Sequence, residues 1–209
     1  MNAKIENYPL SASVIDDIAD AIAQTGFILV RDFLPLELAE ELLAQAQTLS
    51  KTVFKAASIG RDNAKQLDTQ IRTDSTLWLS EQDQAGYIHF MQQLERGLNR
   101  RLFMGLTEFE CHFSHYKKGD FYQRHMDAFK TQTSAIQNNR RLSSVFYLNP
   151  NWQSTDGGEL WLYEDLQQVE PLLKVSPLFN QCVIFLSDTF PHEVKLSNCD
   201  RYSIAGWFR

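Results

Sequence analysis

The stretch Tyr122-Gln123-Arg124-His125-Met126-Asp127-Ala128-Phe129 sets an imidazole and a carboxylate two residues apart. In an extended chain the side chains at i and i+2 leave the same face, so His125 and Asp127 converge on one point, whereas in a helix they would diverge by about 200°. A strand here turns the pair into two donors for one cation. Two donors hold a reactive metal poorly, so a third has to come from elsewhere. The remaining histidines are His89, His112, His115 and His192. His89 falls in a helical stretch. His112 and His115 differ in parity, so at most one of them faces inward on a regular strand. His192, in Phe190-Pro191-His192-Glu193-Val194, opens a late strand, where a jelly roll can bring a distant segment beside the pair.

Two imidazoles and one carboxylate on one side of a metal leave its other positions open, the donor set of non-haem Fe(II) sites that work with oxygen. Arg201 follows His192 by nine residues at the head of Arg-Tyr-Ser-Ile-Ala-Gly-Trp-Phe-Arg. On a strand, Arg201, Ser203, Ala205 and Trp207 share a face, and a fixed guanidinium is a bidentate receptor for a carboxylate. Tyr116 closes Glu110-Cys111-His112-Phe113-Ser114-His115-Tyr116 just before the His125 stretch. Farther along, Ser143, Val145 and Tyr147 share one strand face while Leu142, Phe146 and Leu148 fill the other. A strand apolar on both faces is buried, and its tyrosine hydroxyl needs a polar partner inside, such as a bound carboxylate.

These residues need elements to hold them. Ser13 reads as the N-cap of a helix running to the stop at Gly26, Phe27-Ile28-Leu29-Val30 reads as a buried strand, and Pro35 opens a second helix with Leu38, Leu42, Leu43 and Leu49 along one stripe. Residues 55–70 are polar and without period, a loop expected to close over substrate. Residues 82–103 return to helix with Ile88, Met91, Leu94, Leu98 and Leu102 three or four apart. From residue 106 onward short β-type runs alternate with turns, among them the Asp156-Gly157-Gly158 turn. Six or more strands without intervening helices predict an antiparallel jelly roll carrying N-terminal helices, an α+β fold that is mainly β. The expected organisation is one domain over residues 1–209, with helical support and a substrate loop in 1–105 and the jelly-roll core in 106–209.

The 209 residues, 44% hydrophobic, suffice for one well-buried core. With 20 basic against 26 acidic residues and a net charge of −6, bulk composition argues against nucleic-acid binding. No aliphatic run approaches the roughly 20 residues that span a bilayer, and three cysteines without paired spacing fit a reducing compartment, so cytoplasm is expected and no membrane partner.

From about Gln70 to the C-terminus the chain resembles the Fe(II)- and 2-oxoglutarate-dependent dioxygenases, in the prolyl hydroxylase branch that includes animal oxygen-sensing enzymes and bacterial relatives. The resemblance rests on residues 115–129, 145–152, 157–163, 183–194 and 201–208, in that order. It implies a double-stranded β-helix with His125, Asp127 and His192 as iron ligands and Arg201 pairing with the far carboxylate of 2-oxoglutarate. It also implies Tyr116 and Tyr147 as hydrogen-bonding the cosubstrate, with Ser203 beside Arg201, and Trp207 as an aromatic near the iron. Arg72 and Asp74 match the edge of a substrate-binding loop, with Thr73 where the family carries glycine. Ala205 stands where the oxygen-sensing members carry threonine. The implied cofactors are Fe(II), 2-oxoglutarate and O2, with ascorbate as a reductant and succinate and CO2 as co-products. The implied partner is a protein with a prolyl target, in the translation machinery. Two other readings stay open: the same chemistry on a small molecule or another side chain, and a metal-binding jelly roll without turnover.

Overall fold

The computed structural model describes residues 8–57, 68–128 and 140–209. Helix α1 (Ala12–Gln24) is capped two residues earlier than expected: Ser11, not Ser13, is the N-cap, its hydroxyl accepting from the Val14 amide, and Ser13 instead shares a hydrogen bond with Ser11. Strand β1 (Phe27–Val30) and helix α2 (Leu36–Leu49) follow, the helix burying Leu38, Ala39, Leu42 and Ala46. Helix α3 (Glu81–Leu102) is opened by a reciprocal Ser80–Asp83 capping box and buries Ile88, Met91, Leu94 and Leu98. None of these helices is long and apolar enough to cross a membrane.

Two antiparallel sheets form the rest. The larger takes β1, β2 (Lys55–Ala56) and β3 (Ser75–Leu79) from the first half of the chain, and β4 (Phe109–Tyr116), β6 (Leu142–Tyr147), β9 (Cys182–Leu186) and β11 (Arg201–Phe208) from the second, in the order β1-β9-β6-β11-β4-β3-β2. The smaller takes β5 (Tyr122–His125), β7 (Leu160–Leu162), β8 (Leu173–Val175) and β10 (His192–Val194), in the order β5-β10-β7-β8. Together they make a double-stranded β-helix. The expected loop at 55–70 begins with β2 instead, tied to β3 by Lys55 opposite Thr76; residues 58–67 lie outside the described residues.

The alternation of side chains places two cores. Phe113, Phe146, Ile184, Ile204 and Phe208 point from the larger sheet to the helices, while Tyr116, Tyr147, Val183 and Phe185 point between the sheets to meet Leu160, Leu162 and Val194. Strands β1 and β9 of the larger sheet are continuous in apolar residues, as strands packed on both faces tend to be. The open end between the sheets is where the polar side chains gather.

Candidate active site

Strands β5 and β10 bring two histidines together, His125 lying opposite His192. The next pair is Val194 opposite Tyr122, so β5 carries one residue more than β10 between the pairs, a β-bulge. The bulge lets Tyr122 and His125, three apart, face the same side, and their rings stack with centroids 3.6 Å apart. Strand β5 ends at His125, and Asp127 lies in the bend beyond it. The carboxylate therefore reaches the site by a turn rather than along a regular strand. The Ala128 amide donates to the Ser187 carbonyl, and the Ser143 hydroxyl donates to Asp127 Oδ2 at 2.7 Å, which ties that turn to the larger sheet.

Carbonyls fix the two imidazoles. His125 Nδ1 lies 2.8 Å from the Gln123 carbonyl and His192 Nδ1 lies 3.1 Å from that of Phe190. A carbonyl only accepts, so Nδ1 carries a proton and Nε2 is the nitrogen each ring turns to the cavity. His125 Nε2 is 3.8 Å from Asp127 Oδ1, and His192 Nε2 is 3.4 Å from Oδ2. Among the described residues these three form the only group of His, Cys, Asp or Glu whose ligating atoms all lie within 4.8 Å of one another. Burial, with His192 beside it, pushes His125 down to about 3. Burial raises the Asp127 carboxyl, but His192, His125, Arg140 and the Ser143 hydroxyl outweigh that and hold it below the usual carboxylate range. Electron-rich donors thus face one another, an arrangement that a shared cation makes favourable.

The closed end of the same cavity, about 250 Å³ in volume, is built from β4 and β11, where Arg201 pairs with Tyr116. Arg201 is 1% exposed; its Nε donates to the Gly158 carbonyl at 2.9 Å and Nη1 to the Ser203 hydroxyl at 3.1 Å. Its Nη2 is buried and has no partner, and no carboxylate of the described residues comes within 4 Å of the guanidinium. The rings of Tyr116 and Tyr147 lie 4.9 and 5.3 Å from its Cζ. The Tyr147 hydroxyl is also buried without a hydrogen bond. Burial pushes both tyrosines well above their ordinary range, with Arg201 pulling part of the way back, so both stay protonated donors. A buried unpaired charge costs several kcal/mol. Orphaned donors beside it fit the carboxylate of a bound molecule.

At the mouth, Arg72 donates to both oxygens of Asp74, at 2.8 and 2.7 Å, and its guanidinium lies over the Tyr122 ring that stacks on His125. Thr73 adopts no left-handed backbone; its hydroxyl accepts from the Phe121 amide and its own amide donates to the Phe121 carbonyl, so threonine here fastens the segment to the chain entering β5. Trp207 lies under the Arg140 guanidinium, 3.6 Å from its ring centre, and beside Trp78 and His112. Of the other histidines, His89 bonds Glu81 on α3, and His115 faces the helical side, stacked on Tyr202. His112 does face the cavity, on the alternation that also turns Ser114 and Tyr116 inward, but it is not one of the three clustered donors. Ser143, Tyr122, Trp78 and Arg140 also shape the site, and sequence reasoning gave them no role there. Strand parity points to Ser143, which shares a face with Tyr147. The bulge hides Tyr122, and Arg140 precedes the first residue of β6, where no alternation reaches it.

Residues 111–209 match the family model of the 2OG-Fe(II) oxygenase superfamily. A prolyl-4-hydroxylase of Pseudomonas putida is 33% identical over 93% of this chain and 98% of that one, with a TM-score of 0.79. The chain belongs to the 2OG-Fe(II) oxygenase superfamily, in its prolyl hydroxylase branch. This oxygenase is also similar to a Trichoplax adhaerens prolyl hydroxylase, solved in complex with a peptide fragment of the hypoxia inducible factor oxygen degradation domain: 28% identity, 94% of this chain, 89% of that one, TM-score 0.77. Prolyl hydroxylase EGLN3 of Mus musculus is 30% identical over 92 residues, 43% of this chain. That match spans 35% of the curated relative's own length. Fe(II), 2-oxoglutarate and O2 are the superfamily's set, and the three-donor corner and the orphaned guanidinium fit the first two.

Proposed function

We propose that this oxygenase, acting as one catalytic domain over residues 1–209, hydroxylates a prolyl residue of a protein and converts 2-oxoglutarate to succinate and CO2. The observation that carries the reading is the unpartnered Arg201 Nη2 and Tyr147 hydroxyl, set at the closed end of a cavity whose other end gathers His125, Asp127 and His192. A structural metal site has no use for a buried carboxylate receptor.

His125, Asp127 and His192 would hold Fe(II), and Arg201, Ser203, Tyr116 and Tyr147 would hold 2-oxoglutarate. When bound, the metal and cosubstrate supply the activation of O2 and the oxidation of an unactivated C–H bond. The chain's own groups position and exclude. The Gln123 carbonyl holds the Nδ1–H of His125 and the Phe190 carbonyl holds that of His192, so both rings keep one orientation. Val145 from the larger sheet and Leu160 and Val194 from the smaller one give the cavity apolar lining. The tyrosines donate without ionising. Trp78, Trp207 and the Arg72–Asp74 pair frame the mouth for the target, and the Trichoplax relative's peptide complex supports a peptide there. A target in the translation machinery rests on the sequence resemblance. Action in the cytoplasm is supported by three cysteines that form no disulfide.

Purified protein mixed anaerobically with Fe(II) and 2-oxoglutarate is expected to show a visible charge-transfer band. On admitting O2 with proline-containing peptides, succinate forms and mass spectrometry finds one added oxygen on proline. Band and succinate with oxygen on another residue or a small molecule would move the target; no band and no succinate would overturn the reading.

A further inference from the structure

Among the polar groups at the mouth of the cavity, His112 keeps an acceptor that neither metal nor cosubstrate needs. His112 sits on β4 opposite Ala205 of β11 and Trp78 of β3, and is 4% exposed. Its ring is held between Trp78, at 5.0 Å and 75°, and Trp207, at 5.3 Å and 56°. Nδ1 lies 3.1 Å from the Phe113 carbonyl and 3.2 Å from the Ser114 hydroxyl. The carbonyl only accepts, so Nδ1 carries the proton and Nε2 carries a lone pair. No hydrogen bond to Nε2 exists among the described residues. Burial, with Arg72 and Arg140 nearby, pushes His112 down to about 3, so it stays an acceptor at every working pH.

Its charged neighbours are Arg72, Arg140 and Asp127, which belong to the mouth and the metal corner. The two guanidiniums there are engaged with Asp74 and Glu110. An ionised 2-oxoglutarate offers acceptors only and gives a lone pair nothing to bind. Proline has no amide hydrogen within a chain. We infer that His112 is a specificity residue whose Nε2 accepts a hydrogen bond from a backbone N–H of the target peptide, next to the proline rather than on it. The inference rests on the prolyl hydroxylase reading and adds to it a requirement for an unblocked amide beside the target residue.

The experiment uses the best substrate found among short proline-containing peptides, and versions of it N-methylated at one amide at a time. With the unmodified peptide, His112→Phe, which keeps the aromatic packing, raises the peptide KM about five- to ten-fold, the loss of one neutral hydrogen bond, with a smaller change in kcat. His112→Gln, which keeps an acceptor, recovers part of that loss. In the wild type, methylation of one amide near the proline costs a similar factor, and in His112→Phe the same methylation costs nothing more. Losses that multiply at every position, or an unchanged peptide KM in both variants, would overturn the inference while leaving the hydroxylase reading intact. Failure of the wild type to hydroxylate any of the peptides would take down both.

Discussion

Replacing Arg201 by methionine separates the receptor from the rest of the site. The guanidinium makes two hydrogen bonds, to Gly158 and Ser203, and leaves Nη2 for a ligand. Breaking a buried charge pair by removing one partner costs about 3–5 kcal/mol. At 1.4 kcal/mol per factor of ten, 2-oxoglutarate binding should weaken between about one hundred- and a few thousand-fold. The unliganded protein should behave quite differently. Removing an unpaired buried charge relieves a penalty of several kcal/mol, while two lost hydrogen bonds leave a carbonyl and a hydroxyl unmatched at about 1–3 kcal/mol each, so the opposed effects nearly cancel. The variant should melt close to the wild type without cosubstrate and lose the stabilisation that the wild type gains from it. The assay is thermal unfolding across a 2-oxoglutarate titration in anaerobic Fe(II), paired with the KM from succinate formation. Arg201→Met binding 2-oxoglutarate within about three-fold of the wild type would refute the assignment of the guanidinium as receptor.

Three further outcomes follow from the same geometry. Gly158 has φ +66, and an added Cβ would sit 3.0 Å from Arg201 Cδ, so Gly158→Ala should raise the 2-oxoglutarate KM more than it lowers kcat; Gly105→Ala, at φ +65 with nothing within 4 Å, should leave that KM unchanged. His125→Ala should abolish tight Fe(II) binding, read by metal titration under nitrogen, and full retention of iron and turnover would refute the ligand set. His112 is lowered in the folded state from 6.5 to about 3, so the unfolded chain binds the extra proton: stability is complete above pH 6.5 and falls as pH drops toward 3. At pH 5 that loss is about 2 kcal/mol, and metal-free His112→Phe should lack it; denaturant unfolding at pH 7 and pH 5 checks this, with identical pH slopes counting against the burial argument.

The strands that carry the site were legible because alternation is a simple rule. It put Arg201, Ser203, Ala205 and Trp207 on one face of β11, and all four line the cavity. It also grouped Ser143 with Tyr147, and the Ser143 hydroxyl turns out to hold Asp127. Where the backbone departs from regularity, the rule fails. The bulge in β5 turns Tyr122 and His125 to one side although their parity differs, and Asp127 arrives from a bend held by contacts to Ser143 and Ser187. Strands of two and three residues, β2 and β8, leave too little pattern to read. His112 and His115 illustrate a subtler limit: they face opposite ways as parity requires, yet both are buried, because helices cover the face that a half-exposed sheet would leave wet. The α1 cap moved from Ser13 to Ser11 because two serines two residues apart compete for the same amides, and spacing alone does not choose between them.

Several features that stability alone would select against lie together in one cavity. A buried guanidinium without a carboxylate, a tyrosine hydroxyl without a partner, two imidazoles turned toward a carboxylate and a neutral histidine clamped between tryptophans each weaken a fold that apolar side chains could fill. The surrounding core is conventional, with Phe146, Phe185, Ile204 and Phe208 fully buried. The unmet polar groups divide by sign. Acceptors gather at the corner of His125, Asp127 and His192, and donors gather around Arg201 and Tyr147. A cation held by the first and a small dianion held by the second would satisfy both ends, and the lone pair of His112 would still have no partner from either. That remaining acceptor is the place proposed above for a backbone N–H of the target peptide.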